Sequence, residues 1–113
     1  MEKMFFKMMD SMCKDYIIYA YKEDIWLINP ITKEWIASYY PKTKYAWWRY
    51  DFFETVYKYF SMDIMERQPI KNWIETRMSV EIGKNCEPDR FPGEYNWSSD
   101  FNFQEVIEKG KII

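Results

Sequence analysis

The stretch YIIYAYKEDIWLINPITKEWIASYY, residues 16–40, decides the fold. Three runs in it, residues 16–21, 25–28 and 35–40, are rich in β-branched and aromatic residues, the types that fit a pleated, half-buried surface. Lys22, Glu23 and Asp24 break the first run from the second. Between the second and third, Asn29 stands at a turn start and Pro30 follows it, where a fixed φ near −65° suits a type I turn. Short links between short strands predict an antiparallel meander.

The strands are flanked by helical patterns. Upstream, Met1, Met4, Phe5, Met8, Met9 and Met12 recur at helical spacing, with Lys3, Lys7, Asp10, Ser11 and Lys14 largely opposite, which predicts an amphipathic helix over 2–13. Downstream, Tyr45–Trp48 reads as a fourth strand. Asp51, with Glu54 three residues on, has capping-box spacing. Phe52, Phe53, Val56, Tyr57 and Phe60 form the apolar stripe of the helix that follows. Asp63 and Glu66 have the spacing to cap a short turn. Pro69 suits the first position of a further helix through Met78, with Ile70, Trp73, Ile74 and Met78 on one side. Val80–Ile82 reads as a short strand, and residues 83–99 have no clear period. Asn102 and Glu105 repeat the cap spacing before a short helix that Gly110 ends, leaving Lys111–Ile113 as an apolar tail. The expected fold is α+β: a small single domain over 1–113, with an antiparallel three- to four-stranded sheet, an N-terminal helix and two to three helices packed on one face.

Composition narrows the functions. Of 113 residues, 21% are aromatic (6 Trp, 10 Tyr, 8 Phe), and there is no histidine, the side chain best placed to move protons near neutrality. Cys13 and Cys86 are too few for a disulfide framework and lack zinc-site spacing. The pairs Asp51/Glu54 and Asp63/Glu66 are read as caps rather than as acid–base or metal-binding groups. No Gly-rich phosphate loop is present. These observations predict no catalytic residues, no metal and no cofactor. No stretch approaches the roughly 20 apolar residues of a membrane span, and a cytoplasmic location is expected, in the host cell if the protein is viral. Only 3 Gly among many Lys, Ile, Tyr and Asn suggests an AT-rich coding sequence, such as that of a virus, a phage or a low-GC bacterium.

Contact with a partner is the remaining reading. Residues 42–50 combine Lys42, Lys44 and Arg49 with Trp47, Trp48 and Tyr50, and the hairpin carries Trp26, Trp35, Tyr39 and Tyr40 as a potential cross-strand ladder. If Tyr45–Trp48 is a strand, Trp47 and Trp48 point to opposite faces, and one of them belongs to the core. Trp26, Trp35, Trp47, Trp48 and Tyr50 are expected to bury apolar area against a protein partner, with Lys42, Lys44 and Arg49 orienting it. The expected function is a small non-catalytic protein-interaction module, a viral or phage accessory protein. Two alternatives use the same residues differently. Cations interleaved with aromatics also suit single-stranded nucleic acid, although residues 51–113 carry 8 Lys/Arg against 12 Asp/Glu. The methionine helix or the Lys111–Ile113 tail would instead serve a self-assembling structural subunit.

Overall fold

The computed structural model describes residues 2–63, 66–82 and 103–113. The elements run α1 (Glu2–Met12), β1 (Ile17–Tyr21), β2 (Asp24–Asn29), β3 (Glu34–Tyr40), β4 (Tyr45–Trp48), α2 (Tyr50–Tyr59), α3 (Gln68–Met78), α4 (Phe103–Lys109) and β5 (Lys111–Ile112). The architecture is α+β. The sheet is antiparallel with order β4-β3-β2-β1-β5, so the meander is extended by one strand beyond the sequence expectation. That strand is the expected apolar tail: Lys111 and Ile112 pair with Ala20 and Tyr19. Gly110 permits the close return, because a Cβ there would lie 2.4 Å from the Val106 carbonyl oxygen.

The links follow their local chemistry. Asn29 Oδ1 accepts from the N–H groups of Ile31 and Thr32 at 3.0 and 3.2 Å, and the Asn29 carbonyl accepts from Lys33 at 2.7 Å. This is the Asx-turn mechanism that favours Asn at a turn start. In the two-residue link between β1 and β2, Lys22 and Glu23 have φ of 48° and 71°, the geometry of a type I′ hairpin without its usual Asn-Gly.

Strand β3 carries an irregularity that organises both faces. Ile28 pairs with Trp35 and Leu27 with Ala37, so Ile36 is an extra residue, a β-bulge. Ile36 and Ala37 therefore both join the larger core, and the alternation resumes out of phase. Trp35 and Tyr40 are five positions apart and strict alternation would separate them. With the bulge both pack on Trp26, ring centroids 5.2 and 5.6 Å away. Tyr39 is thereby moved off the expected ladder into the opposite core.

Each sheet face has its own core. On one, Ile18, Leu27, Ile36, Ala37, Tyr39, Ala46 and Trp48 meet Phe5 and Met9 of α1, Phe53, Val56 and Tyr57 of α2, and Ile70, Trp73, Ile74 and Met78 of α3. On the other, Tyr19, Trp26, Ile28, Trp35 and Trp47 pack with Val106 of α4, joined by the half-buried Phe103 and Ile107. The expected helices thus cover one face, and α4 lies on the other.

Three further expectations are corrected. The Asp51/Glu54 capping box is not formed: α2 begins at Tyr50, Arg49 holds the Asp51 carboxylate, and Glu54 pairs with Lys58 one turn on at 3.1 Å. Helix α3 begins at Gln68, one residue before Pro69. Val80–Ile82 is not a strand, because its donors turn back to α3: Val80 N–H donates to the Glu75 carbonyl and Ile82 N–H to the Glu75 carboxylate, at 3.0 and 3.1 Å. The irregular segment expected over 83–99 and the Asn102 cap lie outside the described residues.

Several turns place a residue with a Cβ in the left-handed region, which costs about 1–2 kcal/mol. Ser79, ending α3 with φ 54° and ψ 45°, is one such residue, and it is exposed. Ser79→Gly is expected to raise the unfolding free energy by about 0.5–1 kcal/mol after the added chain entropy is subtracted. A higher urea midpoint at unchanged slope is the reading that checks it.

Candidate functional site

The segment 42–50 folds in a way that removes most of its rings from contact. Trp47 and Trp48 do point to opposite faces, but both faces are cores, so both indoles are interior. Trp48 is 0% exposed and Trp26, the least buried of the expected contact rings, only 7%; Trp35 and Tyr50 are also buried. Fully burying one such aromatic removes about 150–250 Å² from water, an upper bound of roughly 4–6 kcal/mol. Turning one outward would cost a large share of a domain's total stability of about 5–15 kcal/mol. The expected aromatic contact surface made of Trp26, Trp35, Trp47, Trp48 and Tyr50 is therefore interior packing in this fold. A sheet with two buried faces has room for these rings.

The cations of the segment are differently placed. Arg49 precedes α2, and its backbone N–H donates to the carbonyl of the bulged Ile36 at 3.0 Å. Its guanidinium forks onto Asp51 through Nε and Nη2 at 3.2 and 2.8 Å, with Glu34 3.9 Å away. Tyr16 Oη donates to that same Glu34 at 3.4 Å. The fork holds the Asp51 carboxyl below its ordinary range. This contribution to stability is present above the usual carboxylate pKa and is lost as pH falls through the depressed value. Burial first, and then Glu34, pushes the Tyr16 phenol up. Arg49 thus ties α2 to the start of β3, and its charge is already matched by two carboxylates. Lys42 reaches Glu23 at 2.7 Å in an exposed pair. Lys44 is exposed and makes no ion pair among the described residues.

Reactive groups are equally confined. Cys13, just after α1, is buried in the larger core, and burial pushes its thiol up to about 12, with Arg77 pulling it down and Asp10 pushing it up. At neutral pH it is a protonated, inaccessible thiol, the opposite of an activated nucleophile. No group of three or more candidate ligands is arranged around a metal position among the described residues.

Among the described residues the exposed large apolar side chains are Met4, Ile31, Tyr59, Ile112 and Ile113, and of these Tyr59 stands at the end of α2 beside a cleft. Helix α2 closes with a Schellman motif: Met62 N–H donates to the Tyr57 carbonyl at 2.8 Å and Ser61 N–H to that of Lys58 at 3.1 Å, with Ser61 left-handed at φ 51°. The motif turns Met62 back beside Phe60. With Phe5 of α1 and Pro69 and Asn72 of α3 they line a cleft of about 190 Å³, rimmed by Glu66 and Gln68. Tyr59, 65% exposed, packs its ring edge-on to Phe60 with centroids 4.9 Å apart. Tyr57 Oη donates to the Glu66 carbonyl and fixes that rim to α2. Sequence reasoning missed this site because its lining comes from three separated segments. The available signal was Tyr59, an aromatic residue lying off the stripe of its own helix.

Comparison of the chain with protein-family models, curated proteins and solved structures finds no match. No described helix is long and apolar enough to cross a membrane.

Burial separates the two kinds of residue in segment 42–50. Trp48→Ala is expected to cost about 3–5 kcal/mol of stability, whereas Lys44→Ala stays within about 0.5 kcal/mol of the parent. Paired denaturant titrations measure both, and a small loss for Trp48→Ala would mean that the indole is not core.

Proposed function

We propose that this chain is a non-catalytic protein-interaction module, of the viral or phage accessory kind, that engages a protein partner through the apolar cleft and Tyr59. The observation that carries the reading is the exposed Tyr59 ring beside a cleft lined by Phe5, Phe60, Met62 and Pro69. An apolar cavity of about 150 Å³ takes a benzene ring, so a cleft of about 190 Å³ suits one ring or branched aliphatic side chain from a partner. Tyrosine beside such a pocket is a common contact anchor, because it offers a large apolar area at small entropic cost and a polar tip to the rim. The mechanism is occlusion or scaffolding, in which the buried aromatic frame holds the contact residues in place.

The test is affinity capture with nuclease-treated samples, comparing the parent chain with Tyr59→Ser. The substitution is expected to reduce the recovered partner at least tenfold while leaving the thermal midpoint unchanged, as for an exposed residue. Equal recovery by parent and variant would refute the cleft as the contact. Loss of all recovered material on nuclease treatment would favour the single-stranded nucleic-acid alternative, and recovery of the chain itself would favour self-assembly.

A further inference from the structure

A second cleft, unrelated to the first, lies where α1 passes α3. Phe6 and Asp10 are one turn apart on α1, Trp73 and Arg77 one turn apart on α3, and i,i+4 residues share a helix face. Together with Thr76 they line an open cleft of about 400 Å³, with Trp73 buried at its base, Phe6 half-buried, and Asp10, Thr76 and Arg77 exposed at its sides. Opposite charges are thus placed at one cleft, and they do not meet: neither Asp10 nor Arg77 forms an ion pair within 4.0 Å among the described residues. The carboxylate is held to its position instead, because Asp10 Oδ1 accepts from the Trp73 indole Nε1 at 2.9 Å. Thr76 is likewise engaged, its hydroxyl donating to the Asn72 carbonyl at 2.9 Å.

We infer that the α1–α3 cleft binds a small zwitterion of the α-amino acid class, its ammonium on Asp10 and its carboxylate on Arg77. A simple anion attracted by Arg77 is repelled by Asp10, and a simple cation meets the reverse. A molecule carrying both charges complements both groups at once. Asp10 keeps one oxygen for an ammonium while the other holds the indole, and the guanidinium fork of Arg77 matches a carboxylate in two parallel hydrogen bonds. The half-buried Phe6 ring gives the wall an apolar surface, which favours an apolar side chain on the ligand. Free amino acids and very short peptides with free termini share this chemistry.

Thermal unfolding of the full chain with millimolar L-phenylalanine tests the site, since a ligand that binds only the folded state raises the midpoint. A rise is expected with L-phenylalanine and none with N-acetyl-L-phenylalanine, which lacks the ammonium, or with L-phenylalanine amide, which lacks the carboxylate. Asp10→Asn keeps an acceptor for Trp73, Arg77→Gln keeps a polar side chain of similar reach, and each is expected to abolish the shift in an otherwise folded protein. Glycyl-L-phenylalanine separates the two sources: a larger rise than with the free amino acid supports the site with a short peptide as ligand. No rise with either zwitterion, an equal rise with the single-charge analogues, or a rise that survives both substitutions would overturn the inference.

Discussion

One extra residue in β3 sets the arrangement of the whole domain. The bulge at Ile36 puts two consecutive side chains, Ile36 and Ala37, on the helical face and shifts the alternation of every residue after them. Trp35 and Tyr40 are thereby brought to the same side, where they close around Trp26 and Trp47. The carbonyl of Ile36 accepts the Arg49 N–H, which continues the β3–β4 register by one pair to the point where the chain begins α2. Without the bulge, Tyr39 would join the tryptophans and Tyr40 would be forced among the α2 and α3 contacts, reversing a large and a small surface on both sides.

Two occupied faces explain how a chain of this length absorbs its aromatic residues. The helical face takes Trp48, Tyr57, Phe53 and Trp73 in a layer under α2 and α3. The opposite face takes Trp26, Trp35 and Trp47 in edge-on and tilted contacts with centroids 4.3 to 5.2 Å apart, geometries that suit the ring quadrupoles. Left outside are Tyr59 and the cleft at the end of α2, the charged cleft between α1 and α3, and the exposed Met4, Ile31, Ile112 and Ile113. Arg49, neutralised by Asp51 and Glu34, belongs to the frame rather than to those surfaces.

The elements with a strong period were legible. The stripes of α1, α2 and α3 and the three runs of residues 16–40 are each written in local sequence, and their packing follows from them. The misreadings have a common cause, a partner remote in sequence. Trp47 and Trp48 look like a contact pair until a helix is known to lie on each face of the sheet. Lys111 and Ile112 look like a tail because their partner, β1, lies far upstream. Val80–Ile82 has strand composition, yet Glu75 offers its donors a nearer acceptor. The capping box at Asp51 did not form because α2 begins at Tyr50, which puts Asp51 inside the first turn, where its carboxylate accepts from Arg49 and from the Phe52 N–H. Neither cleft was legible, because Phe5, Met62 and Pro69 meet only in three dimensions, as do Asp10 and Arg77.

The central claim, that the tryptophans of the sheet are interior on both faces, is tested most directly by hydrogen exchange at their indole Nε1–H groups, followed by NMR. The protons of Trp35, Trp47 and Trp48 are expected to exchange only through global unfolding, with protection matching the full unfolding free energy. Exchange of Trp48 or Trp47 through small local openings, far faster than global unfolding allows, would contradict the two-faced core and return those rings to the surface.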